Sequence, residues 1–143
     1  MRAMTLAAAV AATMISGSAY AACGTKDLSG EWLIDVAARC GVDTCRSLCK
    51  GKFNAAGKFK SKSCFVAEGY KDNFTMSVKM KADCSFAGNA VLKRTTSSGT
   101  SSTTNTIEGT LGSFGGSFIS VSGWKGSTGN YLYGRVDGMR VGN

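Results

Sequence analysis

Lys50, Lys52, Lys58, Lys60 and Lys62 crowd one short segment, KGKFNAAGKFKSK. Lysine at every second position puts the ammonium groups on one face of an extended chain. The chemistry open to such a face is the holding of anions, and Lys79 and Lys81 would extend it. A plainer reading also stands: lysines keep an edge ribbon wet and block pairing with other sheets. Same-face neighbours lie about 6.7 Å apart. Their repulsion in water is roughly 0.6 kcal/mol per pair before salt screening, a cost that either reading tolerates.

Six cysteines offer a second chemistry: Cys23, Cys40, Cys45, Cys49, Cys64 and Cys84. An even count behind an export signal predicts three disulfides, with the pairing left open. The spacing of Cys40, Cys45 and Cys49 is not that of a zinc knuckle, and the chain has no histidine. No metal and no cofactor are therefore expected. Without histidine there is no ordinary Ser-His or Cys-His pair. No G-x-S-x-G, P-loop or dinucleotide fingerprint occurs. Nothing in the sequence brings together any two of Glu31, Glu68 and Glu108, so a two-carboxylate glycosidase is not supported. The expectation is a protein that is not an enzyme. Asn73-Phe74-Thr75 fits the N-glycosylation pattern, which matters only in a eukaryotic secretory pathway.

The chain begins like an export signal. Arg2 precedes an apolar run, Thr5 to Ile15, and Ala19-Tyr20-Ala21 is a small-x-small cleavage site. The run is shorter than the ~20 residues that span a bilayer. Residues 1–21 are thus expected to be removed, leaving 22–143 as one soluble secreted or periplasmic domain. Tyr20-Ala21-Ala22 before Cys23 lacks the leucine of a lipoprotein signal. The formal net charge is +8, and most of the basic residues fall between Arg46 and Arg94. A basic exported chain commonly meets anionic polysaccharide or a membrane surface. Sequence-specific DNA recognition is not expected, since no reading helix is visible.

The elements that must position these residues read as strands. There are 19 glycines and no proline, and apolar runs recur at short intervals broken by Gly, Asn and Ser. Leu28–Val36 forms the first strand, and 37–49 forms a cysteine-bearing connection with room for one helical turn. The lysine segment folds as a hairpin with a three-residue loop, Ala55-Ala56-Gly57, Gly57 being left-handed. That register sets Phe53 against Phe59, Lys52 against Lys60 and Lys50 against Lys62. Phe74, Met76, Val78 and Met80 alternate with polar residues on a strand running to Phe86, followed by a turn at Gly88-Asn89. A polar tip centred on Gly99 and strands at 117–124 and 131–141 complete a meander of eight. The predicted fold is all-β, a small up-and-down barrel stabilised by disulfides, with a β-sandwich as the alternative.

The first strand carries a resemblance. "LSGEW", with Gly30 and Trp32, resembles the first-strand G-x-W of the calycins, the lipocalin and avidin group. The resemblance implies an eight-stranded barrel whose Trp32 packs at the closed end beneath an arginine of the last strand, Arg135 or Arg140. The biotin-binding residues of avidins and the later lipocalin motifs are not recognisable, so the resemblance implies a scaffold and no ligand.

Two functions follow. One is an exported binding module whose basic ribbon or interior engages a ligand. The other is a protein-interaction factor, an inhibitor or effector of unknown partner, acting through the loop 37–49 with Arg39 and Arg46 exposed.

Overall fold

The computed structural model describes residues 22–40, 43–112, 115–125 and 131–142, without the side chains of 38–40, 43–45, 124–125 and 131–133. The expected leader, 1–21, and most of the loop after Trp124 lie outside the described residues. A single 3-10 turn, Thr25–Leu28, leads into eight strands: β1 (Gly30–Cys40), β2 (Asp43–Phe53), β3 (Lys58–Phe65), β4 (Lys71–Met80), β5 (Ser85–Thr96), β6 (Gly99–Leu111), β7 (Ser117–Lys125) and β8 (Tyr131–Gly142). Each pairs antiparallel with the next, and β1 also pairs with β8. The sheet closes on itself, so the fold is a barrel and not a sandwich. No helix among the described residues is long and apolar enough to cross a membrane.

Alternation decides the inside. Phe74, Met76 and Val78 on β4 are buried between exposed or half-exposed neighbours, as period-2 patterning requires. Trp32, Phe53, Phe59, Phe74, Phe86 and Phe118 meet in one aromatic cluster, with linked ring centroids 5.1 to 6.3 Å apart. Each such buried side chain contributes on the order of 1.5–3 kcal/mol. Glycine makes room for one of these rings: a Cβ at Gly138 would fall 2.1 Å from the Phe118 ring. The 3-10 turn closes this end of the barrel. Thr25 accepts a hydrogen bond from the Met80 N–H at 3.1 Å, and Cys23 is bonded to Cys84.

Trp32 is fully buried, and its indole N–H donates to the Leu28 carbonyl at 2.7 Å. Of the two candidate arginines, Arg140 lies over its ring. Arg135 faces outward and pairs with Asp137. Position parity separates them, since Arg135 pairs across β7 with the exposed Val121.

Several boundaries differ from expectation. The segment 37–49 is neither a loop nor a helical turn: β1 runs to Cys40 and β2 starts at Asp43, making one long hairpin. The strand expected to reach Phe86 ends at Met80, and the chain turns at 81–84 with Cys84 left-handed at φ 66°. The expected turn at Gly88-Asn89 is instead mid-strand in β5, where a Cβ on Gly88 would meet the Ser77 carbonyl at 2.0 Å. Glycine there serves close approach between strands, which composition does not distinguish from turning. Phe86 accordingly opposes Met80 and Gly109 rather than Val91.

Two disulfides are described, Cys23–Cys84 and Cys49–Cys64. They are bonds of a chain that folds in an oxidising compartment, extracellular or periplasmic. Cys40 and Cys45 sit on the facing ends of β1 and β2, with side chains outside the described residues. Since Cys49 is bonded to Cys64, it is not available to a metal set with them.

Candidate anion-binding surface

The β2–β3 hairpin positions the lysines. Asn54 shapes its turn: the side-chain carbonyl accepts the N–H groups of Ala56 and Lys58, each at 3.0 Å, and Gly57 adopts φ 74°. This is the expected three-residue loop. It sets Phe53 against Phe59 inside the barrel and Lys52 against Lys60 outside. The third expected pair is not formed. A register shift between Lys50 and Gly51 places Lys50 opposite Ser63. One extra residue on β3 thus bulges the ribbon, and Lys62 stays on the outer face beside its expected position.

All of Lys50, Lys52, Lys58, Lys60 and Lys62 are exposed, as are Lys79 near the end of β4 and Lys81 in the turn after it. The ladders place Lys58 opposite Ser77, Lys60 opposite Thr75, and Lys79 opposite Ala87. The barrel adds two cations missed in the sequence reading, Lys71 on β4 and Lys93 on β5, both exposed. Their outward parity with Lys79 and with Val91 was the available signal. Among the described side chains of β2 to β5, no carboxylate faces outward.

Glu31 of β1 borders this face. It accepts Lys62 Nζ at 3.0 Å and lies 3.9 Å from Lys50 Nζ. The Lys62 hydrogen bond first, then the Lys62 and Lys50 charges, hold its carboxyl below the ordinary glutamate value. Two grooves mark the surface. One, of about 610 Å³, lies beneath Lys52, Lys58 and Lys60 and is walled largely by apolar surface, with Phe53, Phe59, Met76 and Val91 in its lining. The other, of about 620 Å³, opens between β3 and β4 and is lined by Ser63, Lys62, Lys71, Asn73 and Lys93. Asn73 of the glycosylation pattern is thus exposed on this second wall.

Arg46 is exposed but committed. Its guanidinium makes a two-pronged bond to Asp35, at 3.1 and 2.6 Å, and the pairing raises the arginine pKa. The Arg39 side chain lies outside the described residues. Away from the aromatic cluster the interior turns polar. Asp72 is buried and receives Arg94 through two bonds, at 2.8 and 2.6 Å, together with the Ser47 hydroxyl. Arg94 also stacks on Tyr70, 4.9 Å from its centroid. Asn105 Oδ1 and Ser122 Oγ are buried with no hydrogen-bond partner among the described residues. The sequence reading missed this cluster, although Asp72 shares the inward parity of Phe74 and Met76.

Comparison with known proteins finds no matching family model, no matching curated protein and no matching solved structure.

Proposed function

We propose that the chain is an exported, non-enzymatic binding module that engages an anionic polymer through the outer face of β2 to β5. One observation carries the reading: four neighbouring strands present Lys50, Lys52, Lys58, Lys60, Lys62, Lys71, Lys79 and Lys93 outward, with Glu31 at the border as their acidic neighbour. A face that needed only solubility would mix both signs. The calycin resemblance belongs to this reading, and the Gly30-x-Trp32 strand, the eight-stranded closure and Arg140 over Trp32 support it. Export after cleavage of residues 1–21 belongs to it too, supported by the disulfides.

The test is retention on an anionic polysaccharide column, comparing wild type with Lys52→Gln/Lys58→Gln/Lys60→Gln. The variant should elute at clearly lower salt, because each lost contact removes a share of counterion release. Elution of both at the same salt would leave the lysines as a solvated face.

A protein partner is the second reading, and a different surface favours it. Ile119, Val121 and Met139 on β7 and β8 are 62%, 57% and 54% exposed, on a face that carries none of the lysines above. The segment 37–49, expected as a loop, is a strand-paired hairpin, so a partner meeting it there would meet paired strands and not a loop.

A further inference from the structure

The barrel wall has an open seam. β3 and β4 are paired only at Lys58 with Ser77, Phe59 with Met76 and Lys60 with Thr75. β3 nevertheless runs on to Phe65, and β4 begins at Lys71. The outer neighbours of both stay engaged: β2 pairs with β3 out to Phe65, and β4 pairs with β5 from Lys71. Of these three ladders, β3–β4 is the one whose edges part. Ser61 marks the point of divergence, where its hydroxyl accepts the Phe74 N–H at 2.9 Å. Beyond it the groove of about 620 Å³ separates the two strands. The strand edges that border it carry backbone donors and acceptors with no ladder partner across the gap.

The charges around the seam are unequal. Lys62, on the β3 side, gives its ammonium to Glu31. Lys71 and Lys93, on the β4–β5 side, have no ion pair among the described residues. They are diagonal neighbours across the ladder, since Lys71 opposes Thr95 and Lys93 opposes Asn73; such positions lie about 7–8 Å apart. Asp72 is the carboxylate that reaches the groove, and its charge is matched by Arg94 from within the barrel. An anion entering from outside therefore meets two uncommitted cations and no uncompensated carboxylate.

We infer that this seam holds one acidic sugar unit of the polymer, with a sulfate or carboxylate at Lys71 and Lys93 and hydroxyls against the parted strand edges, Ser63 and Asn73. The inference rests on the polyanion reading and names its anchoring site. Sugar hydroxyls both donate and accept, as the groove does. No described residue lining the groove is aromatic, so nucleic-acid bases find no stacking platform within it, the exposed Phe65 and Tyr70 lying at the strand ends outside its lining. The side chains that line the groove end in hydroxyl, amide, carboxylate or ammonium groups, apart from the disulfide-bonded Cys64.

The experiment is amide-resolved NMR of the disulfide-intact domain titrated with a sulfated disaccharide. Saturable shifts are expected at Ser61–Cys64 and Lys71–Asn73, with a neutral disaccharide giving none. Lys71→Gln/Lys93→Gln, both at exposed positions, should keep the native amide spectrum and weaken the disaccharide by about tenfold or more, since two charge-assisted contacts are removed. Shifts confined to 50–60, unchanged affinity in the double variant, or seam shifts produced by anionic vesicles but not by the disaccharide would each overturn the seam. If the wild type binds the polysaccharide column, the polyanion reading survives that failure. If it does not, both fall.

Discussion

The guanidinium of Arg140 on the last strand lies 4.9 Å from the ring centroid of Trp32 on the first. The same group donates to the carbonyls of Asp27, Ser29 and Gly115. One side chain thus caps the aromatic cluster and satisfies the backbone that folds over it. Trp32→Ala should cost about 3–5 kcal/mol. Arg140→Gln should cost about 2–4 kcal/mol, from the lost cation–π contact and the orphaned carbonyls. Denaturant melts of the two variants check this, and wild-type midpoints would refute a packing role.

Intact mass after alkylation without reductant should show no free thiol in the protein purified under oxidising conditions. Two or more labelled cysteines would refute three bridges. Removal of Cys23–Cys84 should cost more than removal of Cys49–Cys64, because the first closes a loop of 61 residues and the second one of 15. On chain entropy alone the costs are roughly 4 and 3 kcal/mol. Ranking the two double-serine variants by urea midpoint decides the order.

Glu31 should titrate below the ordinary glutamate value of about 4.3, chiefly because Lys62 hydrogen-bonds its ionised form. A depressed folded pKa means that the ionised carboxylate stabilises the fold. That contribution is present above the unfolded value and is lost as the pH falls through the folded one. Lys62→Gln should move the carboxyl back up toward the ordinary value. A carbon-detected titration of the Glu31 carboxyl reads this directly, and an unmoved midpoint would mean that the pair is not formed in solution.

Asp72 and Arg94 should behave as a buried pair. Breaking it from one side leaves a charge inside the barrel, so Asp72→Asn should cost about 3–5 kcal/mol. Asp72→Leu combined with Arg94→Met should cost less than Asp72→Asn alone, since no uncompensated charge remains. A double variant at least as damaging as the single one would show that the pair's worth lies in its links to Ser47 and Tyr70.

The hairpin that carries the lysines was legible because two patterns agreed on it. The Phe53–Phe59 pairing and Gly57 specify one register, and its first two pairs hold. The bulge that displaces Lys62 was not legible, since an extra residue on β3 leaves the local alternation of types nearly intact. Gly88 misled because a glycine that lets strands approach looks like a glycine that turns them. Cys84 supplies the actual turn, held by its bond to Cys23 and by Asp83, whose carboxylate accepts the Ser85 N–H and hydroxyl. The seam and the Asp72–Arg94 pair both lie between consecutive strands, yet the alternation of residue types does not say that β3–β4 pairing stops at Lys60–Thr75, nor that Asp72 falls directly opposite Arg94.

The β1–β8 pairing sets the order in which this fold can assemble. Each of the other ladders joins strands that are consecutive in the chain, so those hairpins can form early and locally. Pairing Trp32 with Arg140 closes almost the whole domain into a single loop, at an entropic cost of about 4 kcal/mol beyond a constant. Until β8 is present, β1 and β7 remain open edges of a curled ribbon, able to recruit strands from other chains. A chain emerging N-terminus first therefore keeps its barrel unsealed until its last strand arrives, and C-terminal truncations should appear as aggregates rather than as smaller barrels.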